Sequence, residues 1–253
     1  MFRWFRRRRR PPAPPVSRPP RAPWRSPDPA LSHELADHLH PELQDALDHG
    51  DPARVAQPAG PGLWRVPFFD TAGIARLVAV TEHRLRWQDG QHEPPNSMHY
   101  AGMTLEPLSL GPAITTLRRR ALEPLRAVLY PELDVLDEDH AFIAAYGRGL
   151  DTHLGFHVDD SELTLNVCLG LDFEGGAVEF LGRRCPHHRQ TDHRPDEEAL
   201  VDLLPGQALL HAGAHRHLVR SVHGERRNLI VWSRSSAFRA AENSECPPWC
   251  GHS

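Results

Sequence analysis

The 253-residue sequence contains no lysine, so its 29 basic residues are all arginine. Together with the 25 prolines, the absence of lysine indicates the codon bias of a GC-rich genome, and we infer no function from it. The first 26 residues lack an apolar run, which excludes a signal peptide or a membrane span within them. Cysteine is also scarce. Because the four cysteines come with no secretory signal, we expect free thiols in a reducing cytoplasm.

The charge of the chain is unevenly distributed. Residues 1–26 carry nine arginines and no acid, which leaves 20 arginines against 33 acidic residues in the remainder. Arginine repulsion and dense proline predict a disordered tail over residues 1–27. Its interleaved aromatic residues would suit a tether to anionic lipid or nucleic acid, but we favour a solvated, dispensable tail.

Residues 28–138 have mainly helical patterns. Helices are expected at residues 30–39, 41–50, 70–87 and 113–130, with one strand at residues 63–69. Asp70 or Thr71 is the expected N-cap of the third helix. This part of the chain is therefore predicted to be a helical support region.

Residues 139–238 have a different texture, with short apolar segments separated by glycine and proline turns. Strands are expected at residues 141–146, 155–159, 163–171, 177–181, 199–204, 207–212, 217–222 and 228–234. About eight strands at such short spacing indicate a sandwich or barrel. We therefore predict an α+β fold, followed by a cysteine-containing tail at residues 239–253.

One predicted strand contains His157-Val158-Asp159. Residues i and i+2 of a strand point to the same face, so both side chains can reach one ion. Two histidines and one carboxylate on one face of an octahedron leave three positions open, as in non-haem Fe(II) oxygenases. The pair alone is a weak signal, since His49-Gly50-Asp51 repeats it at a predicted helix end. A third ligand would have to come from a later histidine.

Residues 206–236 supply such candidates, namely His211, His215, His217 and His223, followed by Arg226 before an apolar strand. The whole set resembles the 2-oxoglutarate- and Fe(II)-dependent dioxygenases of the prolyl-4-hydroxylase-like branch. The resemblance is carried by Tyr146, His157-x-Asp159, "LTLNVCLG", Gly175-Gly176, Phe180, Gly206, His217 and Arg226 with "NLIVW". The segments "PNSMHYAGMTLEPLSL" and "YPELDVLDEDHAFIAAY" are similar to a narrower subgroup, named for its 2-oxoglutarate and iron-dependent oxygenase domain.

The resemblance covers roughly residues 60 to 250 and implies a double-stranded β-helix, or jelly-roll, core. It implies Fe(II) held by His157, Asp159 and His217, the last because the family's distal histidine stands nine or ten residues before its basic residue. Arg226 would bind the C5 carboxylate of 2-oxoglutarate and Tyr146 would line that pocket. The implied activity is oxidative decarboxylation of 2-oxoglutarate coupled to hydroxylation, with ascorbate as an accessory reductant. The prime substrate, a protein side chain or a small molecule, is not specified.

Several alternatives stay open. Arg227 would take the role of Arg226 if the strand register shifted by one residue, and Tyr146 fits simple packing equally well. A cupin-type metalloenzyme would use the same barrel without 2-oxoglutarate, with His153 or His211 as a fourth ligand. A non-catalytic jelly-roll binding module would keep only the fold.

The remaining polar residues have secondary roles in this interpretation. Thr164, Asn166 and Cys168 share one strand face that would line the pocket. Asp160 and His153 are expected to be structural groups or to orient a ligand imidazole.

The polar segment between Phe180 and Ala199 departs from the family pattern. We expect a mobile surface loop there, with a substrate lid as the alternative. Its Cys185 and His187 or His188 could form a structural zinc site with the distant Cys246, Cys250 and His252, but free thiols in a flexible tail are the favoured interpretation.

Overall fold

A computed structural model of the protein describes residues 34–87, 94–241 and 246–250. The predicted tail at residues 1–27 and His252 lie outside these ranges. Within them, no helix is long and apolar enough to cross a membrane.

Helices form where the sequence predicts them. They are α1 (Pro41–Asp48), α2 (Thr71–Trp87), α3 (Gly111–Leu117), α4 (Glu123–Leu129) and a short α5 (Ser236–Ala240). The first predicted helix is reduced to a 3-10 segment, Leu35–His38, and a π-helical turn at Arg118–Leu122 joins α3 to α4. Asp70 caps α2, since its Oδ1 accepts a 2.6 Å hydrogen bond from the Gly73 amide.

The predicted strands are also present, except that the strand expected at residues 155–159 ends at His157 and leaves Asp159 outside it. The first three are β1 (Gln57–Gly60), β2 (Leu63–Pro67) and β3 (Gly102–Thr104). The others are β4 (Glu138–Tyr146), β5 (Leu154–His157), β6 (Leu163–Gly170), β7 (Phe173–Gly175), β8 (Val178–Arg183), β9 (Glu198–Val201), β10 (Gln207–Ala212), β11 (His215–Val219), β12 (Val222–Gly224) and β13 (Arg226–Arg234).

These strands form two main antiparallel sheets. The larger has the order β1-β2-β10-β6-β13-β4-β3 and the smaller β5-β11-β8-β9, with β7 and β12 pairing separately. The predicted α+β class and double-stranded β-helix core are thereby confirmed. The strands β1, β2 and β3 precede the predicted boundary at 138/139 but belong to the same sheet as strands that follow it, and the boundary remains a prediction.

The helices cover one face of the larger sheet. Leu229 and Val231 of β13 share a buried apolar cluster with Leu77 of α2 and Leu117 of α3. Side chains alternate along a strand, so the intervening residues of β13 face the other way, into the barrel. Ile230 and Trp232 accordingly belong to a separate interior cluster, which also contains Tyr146. This alternation fixes which residues reach the site.

Candidate metal and cosubstrate site

The three predicted metal ligands lie together in the barrel. The pairing of β5 with β11 sets His157 opposite His217, with ring centroids 4.1 Å apart. Asp159 follows β5, and its Oδ1 is 3.5 Å from Nε2 of His157 and 3.8 Å from Nε2 of His217. All three candidate ligand atoms lie within 4.8 Å of one another. Their ligand atoms therefore converge on one point.

Backbone carbonyls orient both imidazoles. Nδ1 of His157 lies 2.8 Å from the carbonyl oxygen of Gly155, and Nδ1 of His217 lies 2.9 Å from that of His215. Since a carbonyl only accepts, each Nδ1 carries the proton and donates it. Each Nε2 therefore keeps a lone pair directed towards Asp159, the tautomer that a metal-binding histidine needs.

The protonation states also suit a cation. Burial lowers the pKa of His217 to about 4, so its imidazole is neutral near pH 7. Burial alone would raise the pKa of Asp159, but the charge that His217, His157 and His211 carry when protonated holds it well below its usual range. The Asp159 side chain is only 4% exposed and therefore presents a buried anion. Neutral imidazoles and an ionised carboxylate are the forms that bind metal.

The carboxylate is held in place from β6. The Thr164 hydroxyl donates a 2.6 Å hydrogen bond to Oδ2 of Asp159, and Ser161 is 2.8 Å from the same hydroxyl. Thr164 belongs to the polar strand face that the sequence predicted to line the pocket. This contact leaves Oδ1 directed at the two histidines.

Arg226 lies in the barrel with almost no solvent exposure. Its Nε donates to Oδ1 of Asn228 at 2.8 Å, and Nη1 donates to the Gly176 carbonyl at 2.5 Å. Asn228 in turn donates to Asn166 at 2.6 Å. Gly176 has a φ of 75°, and a Cβ there would collide with the guanidinium, which explains the glycine pair in the sequence.

No carboxylate in the described part of the chain pairs with Arg226. A buried cation without an anion is costly, since neutral dipoles replace only part of its hydration. The guanidinium is therefore prepared to receive an anionic ligand.

Arg227 points the opposite way. Its Nε donates to Glu82 of α2 at 2.5 Å, and its Nη1 donates to the Tyr146 carbonyl at 2.9 Å. Its charge is thus neutralised between sheet and helix. The register that places Arg226 inside the barrel is the one expected from the sequence.

Tyr146 stands directly opposite Arg226 in the pairing of β4 with β13. Burial raises the pKa of its phenol above the usual value, so the hydroxyl remains protonated. That hydroxyl forms no hydrogen bond within the described residues. It is therefore available to donate to a ligand beside Arg226.

Two further histidines border the site: His99, for which the sequence predicted no role, and His211, which it offered as a candidate third or fourth ligand. His99 has its ring centroid 6.4 Å from that of Tyr146, and burial followed by the proximity of His157 lowers its pKa to about 4. Its segment was noted only as a subgroup similarity, which was the available signal. His211 is buried with Nε2 3.8 Å from Oδ2 of Asp159, but it lies outside the three-ligand group.

The structure decides two secondary predictions that the sequence left open. Asp160 is exposed and pairs with Arg234 and Arg239 at 2.7 and 2.9 Å, so it orients no ligand imidazole. His153 is exposed beside Thr152 and supplies no fourth ligand. Both residues lie too close in sequence to His157 for pattern alone to separate their roles.

No family model matches the sequence. The chain is 38% identical over 199 residues to the 2-oxoglutarate and iron-dependent oxygenase domain-containing protein ICU11 of Arabidopsis thaliana, covering 76% of this chain and 50% of that protein. It is 41% identical over 192 residues to 2-oxoglutarate and iron-dependent oxygenase domain-containing protein 2 of Homo sapiens, covering 74% and 52%. The chain thus spans about half the length of these relatives.

Among solved structures, it is similar to a prolyl hydroxylase from Trichoplax adhaerens in complex with a hypoxia inducible factor peptide fragment. That match has a TM-score of 0.51 at 13% identity and covers 85% of this chain and 95% of the other. At this identity the similarity supports the fold alone.

Proposed function

The chain belongs to the 2-oxoglutarate- and iron-dependent oxygenases, and from this premise we propose that it hydroxylates a C–H bond of a protein side chain or a small molecule. Family members are oxidoreductases that use 2-oxoglutarate as a cosubstrate. Since the chain matches only about half of its relatives' length, its activity as a whole protein is our proposal.

We propose that His157, Asp159 and His217 hold Fe(II). Their donor set, two neutral imidazoles and one carboxylate, fits a metal site with three open positions, which a chelating cosubstrate and dioxygen require. When bound, the iron supplies the oxidising chemistry that side chains lack. The contribution of the chain is to fix the imidazole tautomers and, through Thr164, the carboxylate.

The observation that carries the proposal is the buried, unpaired Arg226. Its planar guanidinium matches a carboxylate with two parallel hydrogen bonds, so we assign it to the C5 carboxylate of 2-oxoglutarate. The hydroxyl of Tyr146 is proposed as a second donor there. A cupin-type enzyme that does not use 2-oxoglutarate would have no need for this cation, and neither would an inert binding module.

The prime substrate is proposed to enter at the other end of the inward row of β13. Trp232 packs edge to face with Phe142 at 5.2 Å and lies 5.6 Å from His140, which is partly exposed. The buried indole N–H of Trp232 has no hydrogen-bond partner. Aromatic walls with one free donor suit an apolar group that carries a carbonyl.

The compartment is proposed to be the cytoplasm. The four cysteines are all free, with Cys168 and Cys185 buried, as in proteins from reducing surroundings. Stimulation by ascorbate remains a prediction.

The experiment is to measure succinate formed from 2-oxoglutarate by the full chain with Fe(II) and dioxygen. We expect slow turnover without prime substrate and thermal stabilisation by 2-oxoglutarate in the presence of Mn(II). His211→Ala should retain both, because His211 is not a ligand in this assignment. Loss of metal in His211→Ala, with no response to 2-oxoglutarate in the wild type, would favour the cupin-type alternative.

A further inference from the structure

A second cluster of metal-binding side chains lies outside the barrel interior. It joins the polar segment after β8 to the end of the described chain, and it consists of Cys185, His188, Cys246 and Cys250. Their three sulfurs and the imidazole Nδ1 all lie within 4.8 Å of one another. Residues 246–250, expected to be a flexible tail, instead pack against this segment.

The separations match the edges of a tetrahedral zinc site. Cys185 Sγ lies 3.8 Å from Cys246 Sγ and 3.3 Å from Cys250 Sγ. The three sulfurs lie 3.2, 3.5 and 3.3 Å from Nδ1 of His188. Zinc bonds of about 2.3 Å to sulfur and about 2.0 Å to nitrogen would set neighbouring ligand atoms about 3.5–3.8 Å apart in a tetrahedron. The observed separations equal these values or fall short of them by up to about 0.5 Å.

A disulfide does not describe this geometry. A disulfide requires sulfurs about 2.05 Å apart, and all four cysteines are free. The cluster also has three sulfurs and one imidazole around a common centre, whereas a disulfide would use two sulfurs and leave the rest unexplained.

Both ligand pairs are held by short turns that begin at proline. His188 follows Cys185 on the turn Pro186–His188, where the His188 amide donates to the Cys185 carbonyl at 3.1 Å. Cys250 ends the turn Pro248–Cys250, and its amide donates to the Pro247 carbonyl at 2.9 Å. Two residues intervene between Cys185 and His188 and three between Cys246 and Cys250, and ligand pairs with such short spacers on tight turns are typical of structural zinc sites.

We propose that Cys185, His188, Cys246 and Cys250 bind a structural Zn²⁺ ion. Three thiolates and one imidazole fill the four positions that zinc prefers and leave none open for substrate. Thiolate ligands also favour zinc over Fe(II), which the oxygen-containing cluster in the barrel suits better. We therefore expect zinc in this cluster and iron in the barrel.

The position of this proposed zinc site indicates a structural role. Arg183, at the end of β8, stacks on Trp249 with its guanidinium carbon 3.9 Å from the ring centroid. The next residue, Arg184, is buried and pairs with Glu197 at 2.8 Å. Arg216 of β11 donates to the Thr191 carbonyl at 3.2 Å. The predicted mobile loop is therefore folded against the strand that carries His217, and zinc would fasten the end of the chain to it.

The test is elemental analysis of the purified full chain and of single variants, with far-UV circular dichroism to verify folding. The wild type should contain stoichiometric zinc that survives removal of iron by a mild chelator. In Cys250→Ser and His188→Ala the zinc content should fall at least tenfold. His187→Ala is the matched control, since this exposed neighbour lies outside the cluster, and it should retain the metal.

Cobalt gives a readout that does not depend on variants. Co²⁺ bound to the reduced, metal-free chain should show the intense visible bands of tetrahedral coordination and thiolate charge-transfer absorption. The proposal is overturned if the wild type contains no zinc and a Cys185–Cys250 disulfide. It is equally overturned if His187→Ala and His188→Ala lose zinc alike, or if cobalt shows only weak octahedral bands.

Discussion

The two clusters of metal-binding residues differ in ligand type, ligand number and support. The barrel cluster has three proposed ligands: His157 and His217 lie on the paired strands β5 and β11, and Asp159 lies just after β5. The peripheral cluster has four, three of them thiols, attached to short turns. An incomplete set leaves room for chemistry, whereas a complete tetrahedral set excludes it. We therefore expect the barrel cluster to support the reaction and the peripheral cluster to support the folded structure.

The barrel cluster is also set apart by what lies beside it. Arg226 is buried without an anion and lies only against neutral groups such as the Phe173 ring. The buried arginine beside the peripheral cluster, Arg184, is instead paired with Glu197. An open site needs a further group to complete it, and a closed site does not. The predictions below test this contrast in order of decreasing effect.

The largest effect is expected for His217→Ala. Removing one of three ligands should abolish stoichiometric iron and reduce 2-oxoglutarate turnover by orders of magnitude, while zinc stays bound in the peripheral cluster. Elemental analysis and succinate release measure the two outcomes. The matched control is His49→Ala, because His49-Gly50-Asp51 repeats the short motif on the surface beside α1. Parallel loss of both metals in His217→Ala would show that the clusters are not independent.

The next effect is expected for Arg226→Ala. Truncating a buried charge-assisted pair costs about 2–5 kcal/mol, so the KM for 2-oxoglutarate should rise tens- to thousands-fold with iron content retained. Arg227→Ala should instead lower the thermal stability, because the ion pair with Glu82 is lost, and should change the KM for 2-oxoglutarate little. The reverse pattern would place the cosubstrate carboxylate on the other face of β13.

A smaller effect is expected for Tyr146→Phe. This change removes one hydroxyl and keeps the packed ring. A hydrogen bond to a charged carboxylate contributes about 1.5–3 kcal/mol, so the KM for 2-oxoglutarate should rise by roughly ten- to a hundredfold. Steady-state kinetics at saturating iron measure it. An unchanged KM would assign Tyr146 to packing alone.

The smallest effect is expected for deletion of residues 1–26. We expect iron, zinc and 2-oxoglutarate turnover to remain at wild-type levels, since a proline-rich, self-repelling segment does not pack. Any contribution of the arginine run would appear as binding to anionic vesicles or duplex DNA that weakens steeply with salt. Loss of turnover on deletion would mean that the segment belongs to the folded domain.

Much of the fold and of the barrel site could be predicted from the sequence. Alternation along β13 placed Arg226 and Arg227 on opposite faces, because the side chains of a strand repeat with a period of two. The polar face of β6 was correctly expected to line the pocket for the same reason. The choice of His217 among four histidines came from the resemblance to the family, whose distal histidine stands nine or ten residues before its basic residue.

What the sequence could not supply depends on long-range contacts. Cys185 and Cys250 are 65 residues apart, and nothing in either segment encodes their distance in space. The strand β2 was expected, but its pairing with β10, some 140 residues later in the chain, and the addition of β1 at its other edge were not visible in the sequence. His99 reaches the site because β3 pairs with β4, a contact visible only in the folded chain.

The most direct test of the central claim is an anomalous difference map at the iron edge, from crystals grown with Fe(II) and N-oxalylglycine without oxygen. The account predicts one strong barrel peak bonded to Nε2 of His157, the Asp159 carboxylate and Nε2 of His217. The distal carboxylate of the analogue should pair with Arg226. A peak that includes His211 as a ligand, or an analogue bound away from Arg226, would contradict the account.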